Sequence, residues 1–521
     1  MTSGWAVGIV LLCSVSAIAF ENSQARKYFE QARKSFEERK WEDAQAAAAN
    51  ALAADPQMGD AEILLGLIAT MQSDFAKAEK HFARAVTLAP GNYQAHAYLG
   101  STYLQEKRLA EAAGAFRKVL ELNPGNVAAN YNLGLIALAQ DSPADALLLF
   151  KKVTNSSRGD VPALIGILES QLMLHKPGDA HETTRQLEGL LNRRDPRLFQ
   201  VATLLAQHGE SAAAIPLMDE VRAAFPQSYA VSYNLALACF QAAQYDRAAE
   251  ILQTLIGLQG TAEAFDLLGT VEERRANADS AERAFLKAAR RDAANEDYRF
   301  NYGNSLVQHG KLETGVAAFR AAVSDLPKSW KLRIGLGSAC YLAGDYPGAA
   351  EALLLAVEVK PDSATAYFLL GEAYDSAQRF QAAIEAAFTR YLKSAPHDPW
   401  AYYHFATIQY AHEQAGGRGD YQGAEASLNQ ALRSYPDFAE AHFELGLIAL
   451  AQGKVERGIS ALETAVRLDP QLATAHYRLG LAYQHTGNAA RAKEELDRFR
   501  ALKDDAHYRG RVLELLGSMS R

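Results

Sequence analysis

A pattern that recurs every 34 residues constrains this chain more than anything else in it. One unit begins at Gly59, "GDAEILLGLIATMQSDFAKAEKHFARAVTLAPGN", and the next at Tyr93, "YQAHAYLGSTYLQEKRLAEAAGAFRKVLELNPGN". Both carry Leu-Gly, at Leu65-Gly66 and Leu99-Gly100. Twelve positions after the glycine stands a small residue, Ala78 or Ala112, and four later an aromatic, Phe82 or Phe116. Proline closes each unit, at Pro90 and Pro124. The same logic explains why the octapeptide LGLIALAQ appears twice, at 133–140 and 445–452, 312 residues apart: each copy fills positions 7 to 14 of its unit.

Fourteen units are countable, starting at 25, 59, 93, 127, 161, 195, 229, 262, 296, 330, 364, 399, 439 and 473. Position 8 is Gly or Ala in all but the fifth, which has Leu168, and position 20 is Gly or Ala throughout, from Ala44 through Gly315 to Ala492. Two antiparallel helices approach closely only where their side chains are small, since interaxial distance follows the contact residues. An aromatic at position 17, as in Trp41, Phe75, Tyr245, Tyr346, Phe380 and Tyr421, suits the start of a second helix. Proline at 56, 90, 124, 226, 327, 361, 396, 436 and 470 ends that helix and opens the turn into the next unit. Units five and six follow the rhythm least well, and unit twelve carries about six extra residues between its helices, around 411–420.

This pattern resembles the tetratricopeptide repeat, L-G-x-x-Y…A-x-x-x-F…P at a 34-residue period. The resemblance covers about 25–506 and implies an all-α, right-handed superhelical solenoid of about 14 helix-turn-helix units. The tail "AHYRGRVLELLGSMSR" reads as a short amphipathic helix. An exposed last repeat needs cover, so residues 507–521 are expected to cap it.

The N-terminus departs from this plan. Its first 20 residues, "MTSGWAVGIVLLCSVSAIAF", carry no charged side chain. Trp5–Ala19 has the length of a signal-peptide core, and Ala17-Ile18-Ala19 fits a small-x-small cleavage site. Residues 1–19 are therefore expected to direct export, giving a periplasmic or secreted protein. The alternative is a membrane anchor at 5–19, which would be the chain's one membrane contact. The n-region lacks Lys and Arg, and Leu12 before Cys13 does not suit lipid attachment. A net charge of −8 and a pI near 6.0 argue against a nucleic-acid partner, which clustered basic residues would serve.

Catalytic chemistry would need residues outside the repeat logic. Beyond the leader the cysteines are Cys239 and Cys340, both at position 11 and three units apart, which reads as buried packing and not as a disulfide. His96, His442 and His476 share position 4, and His208 and His309 share position 14, so these histidines read as structural. His397, His404 and His412 form the densest group, but a helix starting near Pro399 leaves out His397. No phosphate loop, HExxH or GxSxG occurs. Arg-Gly-Asp at 158–160 and 418–420 falls where turns belong. No enzyme, metal or cofactor is expected.

In the repeats that this chain resembles, the first helices line a concave surface and contact ligands through positions 2, 5, 9, 12 and 13, with 6 used in long arrays. At those positions stand Tyr131, Asn132, Leu135 and Leu138 in unit four, Tyr233 and Asn234 in unit seven, and Phe300 and Asn301 in unit nine. Phe443, Leu447 and Leu450 in unit thirteen and Tyr477 in unit fourteen complete the candidate groove. An Asn amide both donates to and accepts from an extended peptide backbone, and the leucines suit apolar side chains of a partner. Basic residues such as Arg26, Arg274 and Lys331 are scattered over different units, which does not make a carboxylate clamp. The resemblance thus implies a non-catalytic scaffold for unidentified protein or peptide partners. The alternatives are an envelope-assembly module for polysaccharide export or outer-membrane biogenesis and, more remotely, an accessory region of a glycosyltransferase-like system.

Overall fold

The computed structural model describes residues 23–416, 421–502 and 506–519. The leader at 1–19 and the second Arg-Gly-Asp, at 418–420, lie outside the described residues. Among the described residues the regular structure is helical, with no strand.

The chain divides into two compact blocks, one up to Phe225 and one from Pro226. The N-terminal block contains six helix pairs. They are α1 (Ser23–Glu37) with α2 (Trp41–Ala54), α3 (Gly59–Met71) with α4 (Phe75–Leu88), and α5 (Tyr93–Gln105) with α6 (Leu109–Leu122). Then come α7 (Val127–Ala139) with α8 (Pro143–Ser156), α9 (Val161–Met173) with α10 (Pro177–Leu190), and α11 (Pro196–Gln207) with α12 (Ser211–Ala224). The C-terminal block begins with α13 (Tyr229–Gln241) and α14 (Tyr245–Gln259), α15 (Ala262–Arg274) and α16 (Ala278–Arg291), and α17 (Glu296–Gln308) and α18 (Leu312–Asp325). It continues with α19 (Trp330–Leu342) and α20 (Tyr346–Val359), α21 (Ala364–Ala373) and α22 (Gln381–Ser394), and α23 (Pro399–Gly416) and α24 (Gln422–Ser434). The last pairs are α25 (Ala439–Ala451) with α26 (Val455–Leu468) and α27 (Ala473–His485) with α28 (Ala489–Ala501), followed by the single helix α29 (Ala506–Met519). Each pair except α21 and α22, which barely touch, packs as a hairpin, the hallmark of an all-α repeat array.

Size complementarity explains the small residue at position 8. The Phe150 ring of α8 is fully buried between two glycines. A Cβ on Gly134 of its own repeat would come within 2.7 Å of that ring, and one on Gly166 of the next within 2.5 Å. Phe82 faces Gly66, Phe116 faces Gly100, Phe285 faces Gly269 and Phe319 faces both Gly303 and Gly335 in the same way. The fifth repeat breaks the rule consistently. Leu168 takes the glycine's place, fully buried, and the equivalent second-helix position is Thr184 in place of Phe. One side grows as the other shrinks, which keeps the core filled.

Two devices set the turns. Entering first helices, Asn92, Asn126, Asp160, Ser228, Thr261, Asn295 and Ser329 accept backbone N–H bonds as N-caps. Asp160 of the first Arg-Gly-Asp is thus a helix cap. Leaving first helices, the chain passes through a left-handed residue at position 15, and the following N–H reaches back five residues, as Gln244 does to the Cys239 carbonyl at 2.8 Å. Glycine serves there at Gly310 and Gly344, but alanine occupies it at Ala243 and Ala276. Ala243→Gly is expected to raise the stability of the C-terminal block by about 0.5–1 kcal/mol, because relief of left-handed strain outweighs glycine's extra chain entropy. A urea melt showing a loss would contradict this. In the eleventh repeat a short 3-10 turn, Gln378–Phe380, replaces that device. In the twelfth, the extra residues lengthen α23 to Gly416.

The final helix is present but not as a cap. The expectation for 507–521 is corrected: α29 packs against α17 and α19, far back along the array. Its apolar face finds cover in a core cluster that runs from Phe300 to Ile408, where Val512 and Leu516 are completely buried.

Candidate protein-binding groove

In the N-terminal block the four residues of the fourth repeat lie on the first-helix face of α7. Tyr131 is partly buried, its ring edge-on to Phe150 at 5.7 Å, and burial raises its hydroxyl pKa, helped by Asp160 and Glu169. The Asn132 amide donates to the Ala128 carbonyl at 2.9 Å, one turn back on its own helix. Leu135 and Leu138 are partly exposed, while the Leu133, Gly134, Ile136 and Ala137 of the octapeptide are buried.

The C-terminal block holds the other candidates, and they divide. Tyr233 is partly buried and stacks on Tyr229 at 5.7 Å, and Asn234 donates to the Ala230 carbonyl at 2.8 Å. Asn301 instead reaches the preceding repeat, donating to Asp266 Oδ1 at 2.9 Å, while its own Oδ1 is buried without a hydrogen-bond partner. Burial pushes the Asp266 carboxyl up to about 6 against the bond from Asn301. Leu447 is partly exposed and Tyr477 is 39% exposed, leaning on Phe499.

One expected groove residue, Phe300, belongs to the core, and two others, Leu450 and Phe443, are partly buried with one side packed inward. Phe300 is fully buried, edge-on to Phe319 at 5.6 Å, with the Lys331 amine 4.8 Å from its ring centre closing the outer side. Leu450 turns down onto Gly458 of α26, where a Cβ would meet it at 2.7 Å. Phe443 packs into the apolar clusters of Leu462, Leu479 and Leu472.

The histidines find structural roles. His96, His442 and His476 each place Nε2 3.0–3.2 Å from the carbonyl of the proline six residues earlier, Pro90, Pro436 and Pro470. Arg333 makes the same tie to Pro327. Position 4 therefore fastens a first helix to the turn before it. His412 lies 3.0 Å from the Tyr374 hydroxyl. Cys239 and Cys340 are buried and not joined in a disulfide, and burial pushes the Cys340 thiol up to about 11. Among the described residues no group of three or more His, Cys, Asp or Glu is placed to hold a metal ion.

What sequence reading missed is the acidic character of this face. Asp266, Glu372, Asp375, Glu440 and Glu444 stand at groove positions 5, 9, 12, 2 and 6 of their repeats. Burial raises Glu372 to about 7 despite a hydrogen bond from Tyr341 and the Arg511 charge, and Glu440 and Asp375 add to the rise. Glu444 is likewise raised to about 7 by burial, against Arg478. Counting carboxylates at those positions as well as lysines and arginines would have found them.

Against this face lies α29. Gln308 of α17 donates through Nε2 to the Leu513 carbonyl at 2.8 Å. The Arg511 guanidinium carbon sits 3.8 Å from the centre of a Trp400 ring and 4.8 Å from that of Phe368. His404 is buried beside them and neutral, its pKa lowered to about 3 by burial and then by Arg511. Its Nε2 is 3.8 Å from Glu372 Oε1 and has no hydrogen bond. Gly371 makes room for the His404 ring.

No curated protein matches this chain. Among solved structures, it is similar to the Pseudomonas aeruginosa pilF structure, with 19% identity, covering 39% of this chain and 93% of that one at a TM-score of 0.33. It is similar to a MamA protein structure, with 20% identity over 32% of this chain and 90% of that one, TM-score 0.30. It is similar along most of its length to a chain of the Cut9–Hcn1 hetero-tetramer, with 12% identity over 95% of this chain and 96% of that one, TM-score 0.36. Profiles of the tetratricopeptide repeat match residues 29–93, 72–127, 98–160, 302–360, 343–399 and 414–473 in one form, and 205–270 and 449–511 in a second. These matches cover well over half of the chain, which belongs to the tetratricopeptide repeat family.

Proposed function

We propose that this protein is a non-catalytic scaffold that holds segments of partner proteins on the first-helix faces of its repeats, in or near the cell envelope. The fold is that of an interaction scaffold. The observation that carries the finer reading is the seat of α29: a peptide helix already lies on the first-helix face of the C-terminal block. In the N-terminal block the partly exposed Leu135 and Leu138, beside Tyr131 and Asn132, offer apolar contact with a polar edge. Support for the envelope comes from the uncharged leader with its Ala17-Ile18-Ala19 site. Among the described residues no helix is long and apolar enough to cross a membrane.

The test is a crosslinking capture from the native envelope fraction, combined with the intact mass of the mature chain. The expected result is a protein partner bound to a chain that begins near Phe20. A full-length chain pelleting with membranes would overturn cleavage and release. Capture of a glycan or lipid without any protein would overturn the scaffold reading.

A further inference from the structure

The side of α29 that meets the block has a definite chemistry. Arg511, Val512, Leu515, Leu516 and Met519 recur at i, i+1, i+4, i+5 and i+8, one face of a helix. Val512 and Leu516 are completely buried, and Leu513, Leu515 and Met519 pack against the same cluster. Arg511 enters a pocket built from two further first helices, α21 and α23. Trp400 provides a stacking plane and Phe368 a second ring, edge-on to the first at 5.2 Å. Glu372, partly buried on α21, is close enough for the Arg511 charge to favour its ionised form against burial. A guanidinium suits such a place because it is planar, weakly hydrated and stacks on aromatic faces. Gln308 reads the helix backbone, which any sequence could present.

The helix is also one that depends on its seat. At 14 residues α29 is near the length at which an isolated helix is marginal in water. Its order therefore comes from this groove, and anything that takes the groove returns the tail to solvent.

We propose that the groove over α17, α19, α21 and α23 recognises an arginine-bearing amphipathic helix of a partner protein, and that residues 506–519 occupy it in cis until such a helix displaces them. This rests on the scaffold reading and names its ligand class in the C-terminal block. The acidic groove residues Glu372, Asp375, Glu440 and Glu444 favour a basic occupant over an acidic one.

The test uses the full-length chain and a labelled synthetic peptide of residues 506–521. In a full-length variant carrying Val512→Glu and Leu516→Glu, the tail loses its seat. The peptide is expected to bind this variant about tenfold or more tighter than wild type, since the competing cis helix is gone. Adding Trp400→Ala, or replacing the peptide's arginine at 511 by alanine, is expected to remove most of that gain. Equal binding to wild type and the tail variant would overturn the proposal, as would no binding to a tail variant whose circular dichroism and melting match wild type. Should the double substitution fail to fold, Arg511→Ala alone provides the same comparison. A wild-type dimer in sedimentation that the tail variant abolishes would place the helix in a second copy and overturn occupancy in cis. None of these outcomes touches partner capture through the N-terminal block, so the proposal and the scaffold reading fail separately.

Discussion

Phe150→Ala is expected to cost the N-terminal block about 3–5 kcal/mol, the range for deleting a fully buried aromatic. The reason is the double glycine contact. Gly134 and Gly166 have no side chains that can move into the vacated space, so the cavity persists and two successive repeats lose their shared packing. Urea unfolding of the full chain measures it, with a loss below about 1 kcal/mol contradicting the account. The fifth repeat supplies a control. Gly134→Leu alone should clash with the ring, but Gly134→Leu with Phe150→Thr copies the native Leu168 and Thr184 pair. The double variant should therefore be more stable than the sum of the single losses requires.

The second large effect is on pH. Glu372 and Glu444 both titrate near 7 in the folded chain, in place of the ordinary 4.5, because burial disfavours their charge. Between those values the folded state binds more protons than the unfolded, so stability falls as pH rises through the window from about 4.5 to 7. The full shift corresponds to roughly 3 kcal/mol for each carboxyl by pH 8, and relaxation of neighbouring groups reduces it to about 1–2 kcal/mol. The C-terminal block should accordingly be more stable near pH 5.5 than at pH 8. Glu444→Gln should recover about 1–2 kcal/mol at pH 8 and flatten the profile. A block that gains stability from pH 5.5 to 8 would contradict the burial argument.

Much of this fold is legible in the sequence because its contacts are local. A 34-residue period, a small residue at position 8 and a closing proline each encode a contact within one repeat or between neighbours. α3 opens at Gly59, α5 at Tyr93 and α7 at Val127, the residues where the units begin. Position alone does not settle whether a side chain faces the groove. Phe300 holds a groove position, yet Phe319 offers its ring edge on one side and Lys331 covers the other, so the ring is core. Leu450, at another groove position, rests one side on Gly458 of the second helix and is only partly exposed. The seat of α29 was not legible at all. An amphipathic pattern shows that a face must be covered, but Gln308 and Leu513 are 205 residues apart, and no periodicity joins them.

If partners dock on the first-helix faces as proposed, those faces and not the second-helix faces contact them in the cell. Photo-crosslinking amino acids placed singly at Leu135 and Leu447, on first helices, and at Leu148 and Leu258, exposed on second helices, test it most directly in living cells. The expected result is protein adducts from Leu135 and Leu447 and none from Leu148 and Leu258. Adducts confined to the second-helix positions would contradict it.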